Sequence, residues 1–257
     1  MKHIASVSFG KDSLAMLLLL IERQYPLDEV VFYDTGKEFQ AIYRLRDKIE
    51  TLLSNKGIKY VELTAEPSFD YLMFEKPVCK RGTKTIHKYG YSWCGGTCRW
   101  GTTAKLKALE QYAAGHIEYV GIAIDEPERL NKERKGNQLF PLAEGGMTEQ
   151  ECLDYCYGKG YDWIEEGVEL YSILDRVSCW CCRNKNLKEL YHIYLYLPCY
   201  WQKLKDLQAR LPEPMKRFKN KKYGEYGNLF DLEKVFEEKS LYQHSVKGEP
   251  SLKEGLK

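Results

Sequence analysis

The strongest constraint on the fold is the rhythm of the first sixty residues. Residues 4–8 are short, apolar and β-prone, and after a tight turn the run 14–24 reads as a helix that stops before Pro26. Residues 29–33 (EVVFY) read as a second strand, 38–55 as an amphipathic helix closed by Gly57, and 59–63 as a third strand. A further helix fits 103–114 and a fourth strand 116–124. Strands joined through helices lie parallel, with right-handed crossovers. The expected architecture is therefore α/β, an open parallel Rossmann-like sheet with helices on both faces.

Two stretches interrupt the rhythm. Residues 76–107 hold eight Lys or Arg, no Asp or Glu, and three cysteines, which marks a basic insertion. Beyond a short apolar piece at 139–142, a helix opens at Thr148 and carries Cys152 and Cys156, whose i, i+4 spacing reads as small core residues. The cluster Cys179, Trp180, Cys181, Cys182 follows. We place the end of the sheet domain at 167, giving 1–167 with its insertion and 168–257 with the cysteine cluster. The second part ends in a helical appendage broken at Pro198, Pro212 and Pro214. Its many tyrosines fit helix packing.

Charge is balanced, with 39 basic against 37 acidic residues, so the chain as a whole announces no polyanion or membrane partner. The longest apolar run spans eight residues, 14–21, far short of a membrane span. No apolar core of a secretion signal precedes Gly10, so a cytoplasmic location is expected. Nine cysteines in a reducing compartment point to metal ligation or sulfur chemistry before disulfides.

Ser8, Phe9, Gly10, Lys11, Asp12 and Ser13 stand between a strand and a helix start, where unpaired N–H groups and the helix dipole favour an anion. Gly10 lets the backbone approach closely, Lys11 adds a cation, and two hydroxyls add donors, as holding a di- or triphosphate requires. The plainer reading is a capped helix with Asp12 or Ser13 as cap. Cys94-x-x-x-Cys98 and Cys179-x-x-Cys182 form two close thiol pairs, suited to a tetrahedral zinc site or an iron-sulfur cluster. Cys181 is a substitute ligand or a reactive thiol. Buried thiols without metal would show the same spacing.

The S-F-G-K-D-S run after the first strand resembles the PP-loop of the adenine nucleotide α-hydrolase superfamily. Asp34, Thr35 and Gly36, followed by Glu38 and Phe39, resemble the matching turn of the phosphoadenosine phosphosulfate (PAPS) reductase family. Arg99, Trp100 and Lys105 resemble its R-W-C-x-x-x-K stretch, GIAIDEPER at 121–129 its G-I-R-x-D-E-x-x-R segment, and Phe140, Pro141, Leu142 its Y-P-L. CWCC followed by Asn184 resembles its C-x-x-C-P. The departures are Ala123 where that family has Arg, Gly101 where a Cys is often found, and Arg183 for Pro. No cysteine follows Cys199, whereas sulfate-assimilating reductases carry an E-C-G-L-H thiol.

The resemblance implies an adenine nucleotide α-hydrolase-like fold with ATP or a related adenine nucleotide at the carboxyl ends of the strands. Amides of Gly10 to Ser13, with Lys11, would hold phosphates, and Asp12, Asp34 or Asp125 magnesium. Main chain at 31–32 and at Gly121 and Ile122 would hold adenine, with Thr35, Gly36 and Glu126 in the same site. Arg99, Lys105 and Arg129 would steady developing charge. The implied reaction is α-phosphate cleavage, by adenylation and pyrophosphate release, coupled to sulfur transfer at the metal on Cys94, Cys98, Cys179 and Cys182; the resemblance favours iron-sulfur there. The implied partners are a tRNA or DNA sulfur acceptor, a sulfur or electron donor protein and a second copy in a homodimer, with no membrane. One alternative is a reductase releasing sulfite from a phosphosulfate nucleotide with Cys79, Cys181 or a partner's thiol. Another is a zinc-stabilised nucleic-acid-binding module, using the basic insertion; a second basic run, 203–222, reads more simply as a solvated face.

Overall fold

A computed structural model describes residues 1–93, 97–132, 136–221 and 224–247. They form two compact units, Met1–Cys182 and Arg183–Lys257. The break falls after Cys182 and not at 167, because Tyr171 and Cys179 bond to loops of the sheet.

The first unit opens with β1 (His3–Val7), α1 (Lys11–Glu22), β2 (Glu29–Asp34), α2 (Gln40–Asn55) and β3 (Lys59–Thr64). The basic insertion then forms a hairpin of β4 (Pro77–Cys79) and β5 (Ile86–Tyr89), seated on a π-helical turn, Tyr71–Glu75. A second π-helical turn, Arg99–Ala104, leads into α3 (Lys105–Tyr112) and β6 (Ile117–Val120). There follow α4 (Pro127–Leu130), β7 (Asn137–Leu139), α5 (Pro141–Glu144), α6 (Glu149–Gly158), the small hairpin β8 (Ile164–Glu165) and β9 (Val168–Glu169), and α7 (Leu170–Ile173).

The sheet is five-stranded and wholly parallel, in the order β3-β2-β1-β6-β7, as expected from the alternation except for its extra edge strand β7. Its first two connections run outward and the return from β3 to β6 runs back. Right-handed crossovers therefore place α1 and α2 on one face and α3 on the other. Ile4, Val31, Tyr33 and Leu109 pack together on the α3 face, while Phe9 packs on Phe32 with ring centroids 5.0 Å apart. Such two-sided burial explains why β2 is a continuous apolar run. α1 is buried from Ser13 to Leu20, since it also meets α5 and α6. Cys152 and Cys156 are fully buried in α6, as core residues, and that helix opens with the capping box of Thr148 and Glu151.

The second unit contains α8 (Leu187–Tyr196), α9 (Pro198–Ala209), the hairpin β10 (Phe218–Asn220) and β11 (Gly224–Tyr226), and α10 (Leu229–Lys247). Its core is aromatic: Phe236 lies 5.1 Å from Tyr191 and 5.7 Å from Trp201, ring to ring. Pro198 starts α9, where its missing N–H costs nothing. Among the described residues no helix is long and apolar enough to cross a membrane.

Candidate functional site

The order of strands reverses between β1 and β6, and the crevice outside their carboxyl ends is the usual ligand position in open α/β sheets. Ser8 to Gly10 make the turn there. The N-cap of α1 is Gly10, with no side-chain cap, so neither Asp12 nor Ser13 plays that part. Ser13 instead accepts the Ser8 N–H at 3.1 Å and stands 3.1 Å from the Ser8 hydroxyl, closing the turn on itself. Phe9 has a positive φ of 56°, a conformation unfavourable for a bulky side chain. It is held because its ring is fully buried and its carbonyl accepts the Trp163 indole N–H at 2.7 Å.

Gly121, at the end of β6, lies against the first turn of α1. A Cβ there would stand 2.8 Å from Ser13 Cα and 2.9 Å from both Asp12 O and Ser13 N. Only glycine permits this approach, and it brings residues 121–126 beside the turn. Ile122 and Ala123 are buried.

The cation and the acids meet at this point. Lys11 Nζ bonds Asp12 Oδ1 at 2.7 Å and Glu149 Oε1 at 3.1 Å. Asp12, Glu126 and Glu149 each offer an oxygen within 4.8 Å of the others. Burial pulls the Lys11 ammonium towards neutrality, but its bonds and attraction to Asp12 and Glu149 win, so its pKa is raised. Burial also lifts the Asp12 carboxyl; Lys11 opposes this, Glu149 and Glu126 add to it, and the net shift is upward. Three carboxylates facing one ammonium make a site that gains from a divalent cation with oxygen ligands. Arg129 grips both oxygens of Glu126, at 2.5 and 2.7 Å.

Of the acids expected to bind magnesium, Asp12 lies in this group, while Asp34 and Asp125 are bonded elsewhere. Asp34 accepts from Gly36 N at 2.8 Å and Tyr43 O–H at 2.9 Å, a local turn bond that leaves Gly36 at φ 71°. Asp125 accepts from Glu149 N at 2.9 Å and so serves the start of α6. Glu126 and Glu149 take their place near Asp12. Main chain at 31–32, expected at adenine, lies in β2 between β1 and β3 and pairs with both.

Three residues here escaped the sequence reading. Tyr171 O accepts Lys11 N–H at 2.8 Å, Trp163 braces Phe9, and Glu149 bonds Lys11. Tyr171 is fixed edge-on against Trp163, with centroids 4.9 Å apart and planes at 89°. Glu149 looked like an ordinary first-turn acid of a capped helix, and the aromatics lay in no periodic pattern.

The cysteine motif docks at the same end of the sheet, on the loop after β2. Trp180 N donates to Lys37 O at 2.9 Å, and Cys179 Sγ lies 3.4 Å from Thr35 Oγ1 and 3.6 Å from Glu38 Oε1. Cys98 meets Cys179 across Gly101: a Cβ there would lie 3.4 Å from Cys98 Sγ and 3.8 Å from Cys179 Sγ. Gly101 leaves room for both sulfurs. Burial and the Glu38 carboxylate push the Cys179 thiol well above its ordinary value. Burial likewise pushes up Cys181, which the Lys37 ammonium opposes. Cys182 is half-buried, and Cys94 lies outside the described residues. Arg99 stacks on Tyr91 at 4.7 Å, and Lys105 opens α3.

An open parallel α/β sheet with a Gly-Lys turn, acids and cysteines at its carboxyl end is of the Rossmann-like α/β class, in which that end is the usual ligand position. Residues 2–114 match the phosphoadenosine phosphosulfate reductase domain, which belongs to the PP-loop, adenine nucleotide α-hydrolase-like superfamily. That family comprises nucleotide-utilising enzymes linked to sulfur metabolism. The chain is also 25% identical to an uncharacterized protein of Methanocaldococcus jannaschii over 227 residues, 82% of this chain and 42% of that protein. It thus spans less than half the length of this curated relative.

Proposed function

We propose that the protein binds ATP with a divalent cation at the α1 turn and uses α-phosphate cleavage to activate an acceptor for sulfur transfer. The observation that carries this reading is the meeting of Lys11, Asp12, Glu126 and Glu149 at the helix N-terminus beside the Gly10 turn. Lys11 and the amides after Gly10 would draw phosphate oxygens, and the three carboxylates would hold magnesium, which screens the triphosphate charge. Binding would free Lys11 from Glu149, so the ammonium that pairs with these acids would turn to the phosphates. Arg129, bonded to Glu126, would orient that carboxylate.

In the proposed reaction an acceptor oxygen attacks the α-phosphorus, the bond to the β-phosphate bridging oxygen breaks, and pyrophosphate leaves. Sulfur supplied by a donor then attacks the activated acceptor carbon, and AMP leaves with the former acceptor oxygen. Cys98 and Cys179, with Cys94 and Cys182 as the remaining sequence candidates, would hold zinc or an iron-sulfur cluster. The meeting of two sulfurs at Gly101 fits such a group. Bound there, it would hold the thiolates deprotonated and present an electrophilic centre to sulfur. Thr35 and Glu38 would orient Cys179.

Anaerobic calorimetric titration with Mg-ATP, adenosine phosphosulfate and its phosphorylated form tests the proposal. Tight Mg-ATP binding that Lys11→Ala abolishes is expected. Preference for either phosphosulfate would turn the reading to a sulfite-releasing reductase, and binding of none would overturn both.

A further inference from the structure

The hairpin β4–β5 is a basic arm that supplies none of the side chains described at the α1 turn. Its base is welded to the π-helical turn below it: Gly90 N donates to Lys76 O at 2.7 Å, Tyr91 N to Leu72 O, and Ser92 N to Met73 O. Gly90 sits at φ 71°, and a Cβ there would fall 2.1 Å from Met73 O. The tip is equally ordered, with Lys80 N bonded to Thr85 O and Thr83 N to Lys80 O, both at 3.0 Å. Residues 79–87 are exposed throughout, and the arm reaches roughly 15 Å at about 3.3 Å per strand residue.

Its charge lacks internal compensation. Lys80, Arg81 and Lys84 crowd one turn, and among the described residues none of the three pairs with a carboxylate. Like charges so close repel, and counter-charge from outside the chain relieves this. The charges sit on an exposed, projecting hairpin turn, not around a concavity, so they suit the phosphates of a polymer that can lie across it better than one enclosed small anion. On the same hairpin Ile86 is 46% exposed and, nearer its base opposite Pro77, Tyr89 is 66% exposed, so one ribbon carries the cations at its tip and a flat ring along its length. A cationic track with an exposed ring is how proteins hold unpaired nucleotides, by backbone contact and base stacking. The arm leaves the chain between β3 and α3, at the end of the sheet that carries the turn and the cysteines.

We propose that the β4–β5 arm is a docking surface for single-stranded nucleic acid, through Lys80, Arg81, Lys84 and Tyr89. Resting on the function proposed above, such a strand would be the acceptor presented to the site; the surface itself is tested separately. Fluorescence anisotropy of the full chain with short labelled single strands of RNA and of DNA, across a salt series, reads the binding. Lys80→Ser/Arg81→Ser/Lys84→Ser should weaken it at least tenfold at low salt and lower the slope of log K against log salt by about 2, at about 0.7 per charge. Tyr89→Ala should weaken it about tenfold with the slope unchanged. Both variants should bind Mg-ATP as the parent does. The RNA and DNA arms identify which strand is preferred. Equal binding of polyglutamate, better competition by a duplex, or no effect of the triple substitution would overturn the proposal. Lys11→Ala, which should lose ATP but keep the strand, separates failure of the arm from failure of the nucleotide reading.

Discussion

Replacing Gly121 by alanine inserts one methyl group where β6 ends against the first turn of α1. The new carbon would face Ser13 Cα at 2.8 Å, Asp12 O at 2.9 Å and Ser13 N at 2.9 Å. Comfortable carbon contacts lie at about 3.5–4.0 Å, so the two segments must part by roughly 0.7 Å or more. All three of these atoms are backbone, so no side chain can rotate away. Overpacking of this kind costs about 1–3 kcal/mol, and with no escape available the upper part of that range applies. For a unit of this size a melting temperature lower by roughly 4–10 °C follows. Because the displaced atoms are those of Asp12 and Ser13, nucleotide affinity should fall by about tenfold or more, in line with the sensitivity of sites to shifts near 1 Å. Gly10→Ala is the control, since its Cβ meets only the Tyr171 hydroxyl at 3.3 Å and the Ser8 hydroxyl at 3.7 Å. Circular dichroism melts and calorimetry on both variants give the answer. If Gly121→Ala melts with the parent, or no lower than Gly10→Ala, the reasoning is wrong.

Further outcomes follow from the same geometry. Trp163→Phe keeps an aromatic ring but removes the donor to Phe9 O in a fully buried place, so stability should fall by about 1–3 kcal/mol in chemical unfolding. A fall no greater than for an exposed substitution would deny Trp163 its bracing role. At the opposite end of the sheet, the Glu29 carboxyl is held at about 2 instead of 4.5, by Lys2 and Tyr112 first and then Lys59. A lowered carboxyl stabilises the fold fully above pH 4.5, and that contribution, about 2–3 kcal/mol, is lost as pH falls towards 2. Glu29→Gln should therefore flatten unfolding free energy against pH across that window, and an unchanged acid limb would refute it. Anaerobic loading with zinc, or with iron and sulfide, should succeed with the parent and fail with Cys98→Ser/Cys179→Ser, as metal analysis and visible absorption will show. Equal loading would remove these two sulfurs from the ligand set.

The parallel sheet was legible in the sequence because its determinants are local. Apolar runs of strand length, Gly57 and the break before Pro26 set β1 to β3 and the helices between them, whatever the rest of the chain does. The Gly10 turn was legible for the same reason, being one contiguous run. Residues 139–142 carried too few residues to declare the edge strand β7, which pairs with β6 only once the sheet exists. The end of the first unit was also misplaced, since nothing near 167 shows that Tyr171 and Cys179 bond back to loops formed by the first forty residues.

What the sequence by itself determined is the sheet, the Gly10 turn between β1 and α1 and the chemical kinds of side chain available to it. Tertiary structure alone decided which acids face Lys11. Asp34 and Asp125, acidic and in the right segments, are taken up by backbone N–H groups of their own and a neighbouring turn, whereas Glu126 and the distant Glu149 reach the site. Short carboxylates compete for nearby amides, and the winner depends on which backbone the fold places within reach. Packing across the reversal of strand order likewise brought Gly121 against α1, Trp163 under Phe9 and Cys98 to Cys179, because contacts between residues far apart in the chain exist only after the sheet has closed the distance.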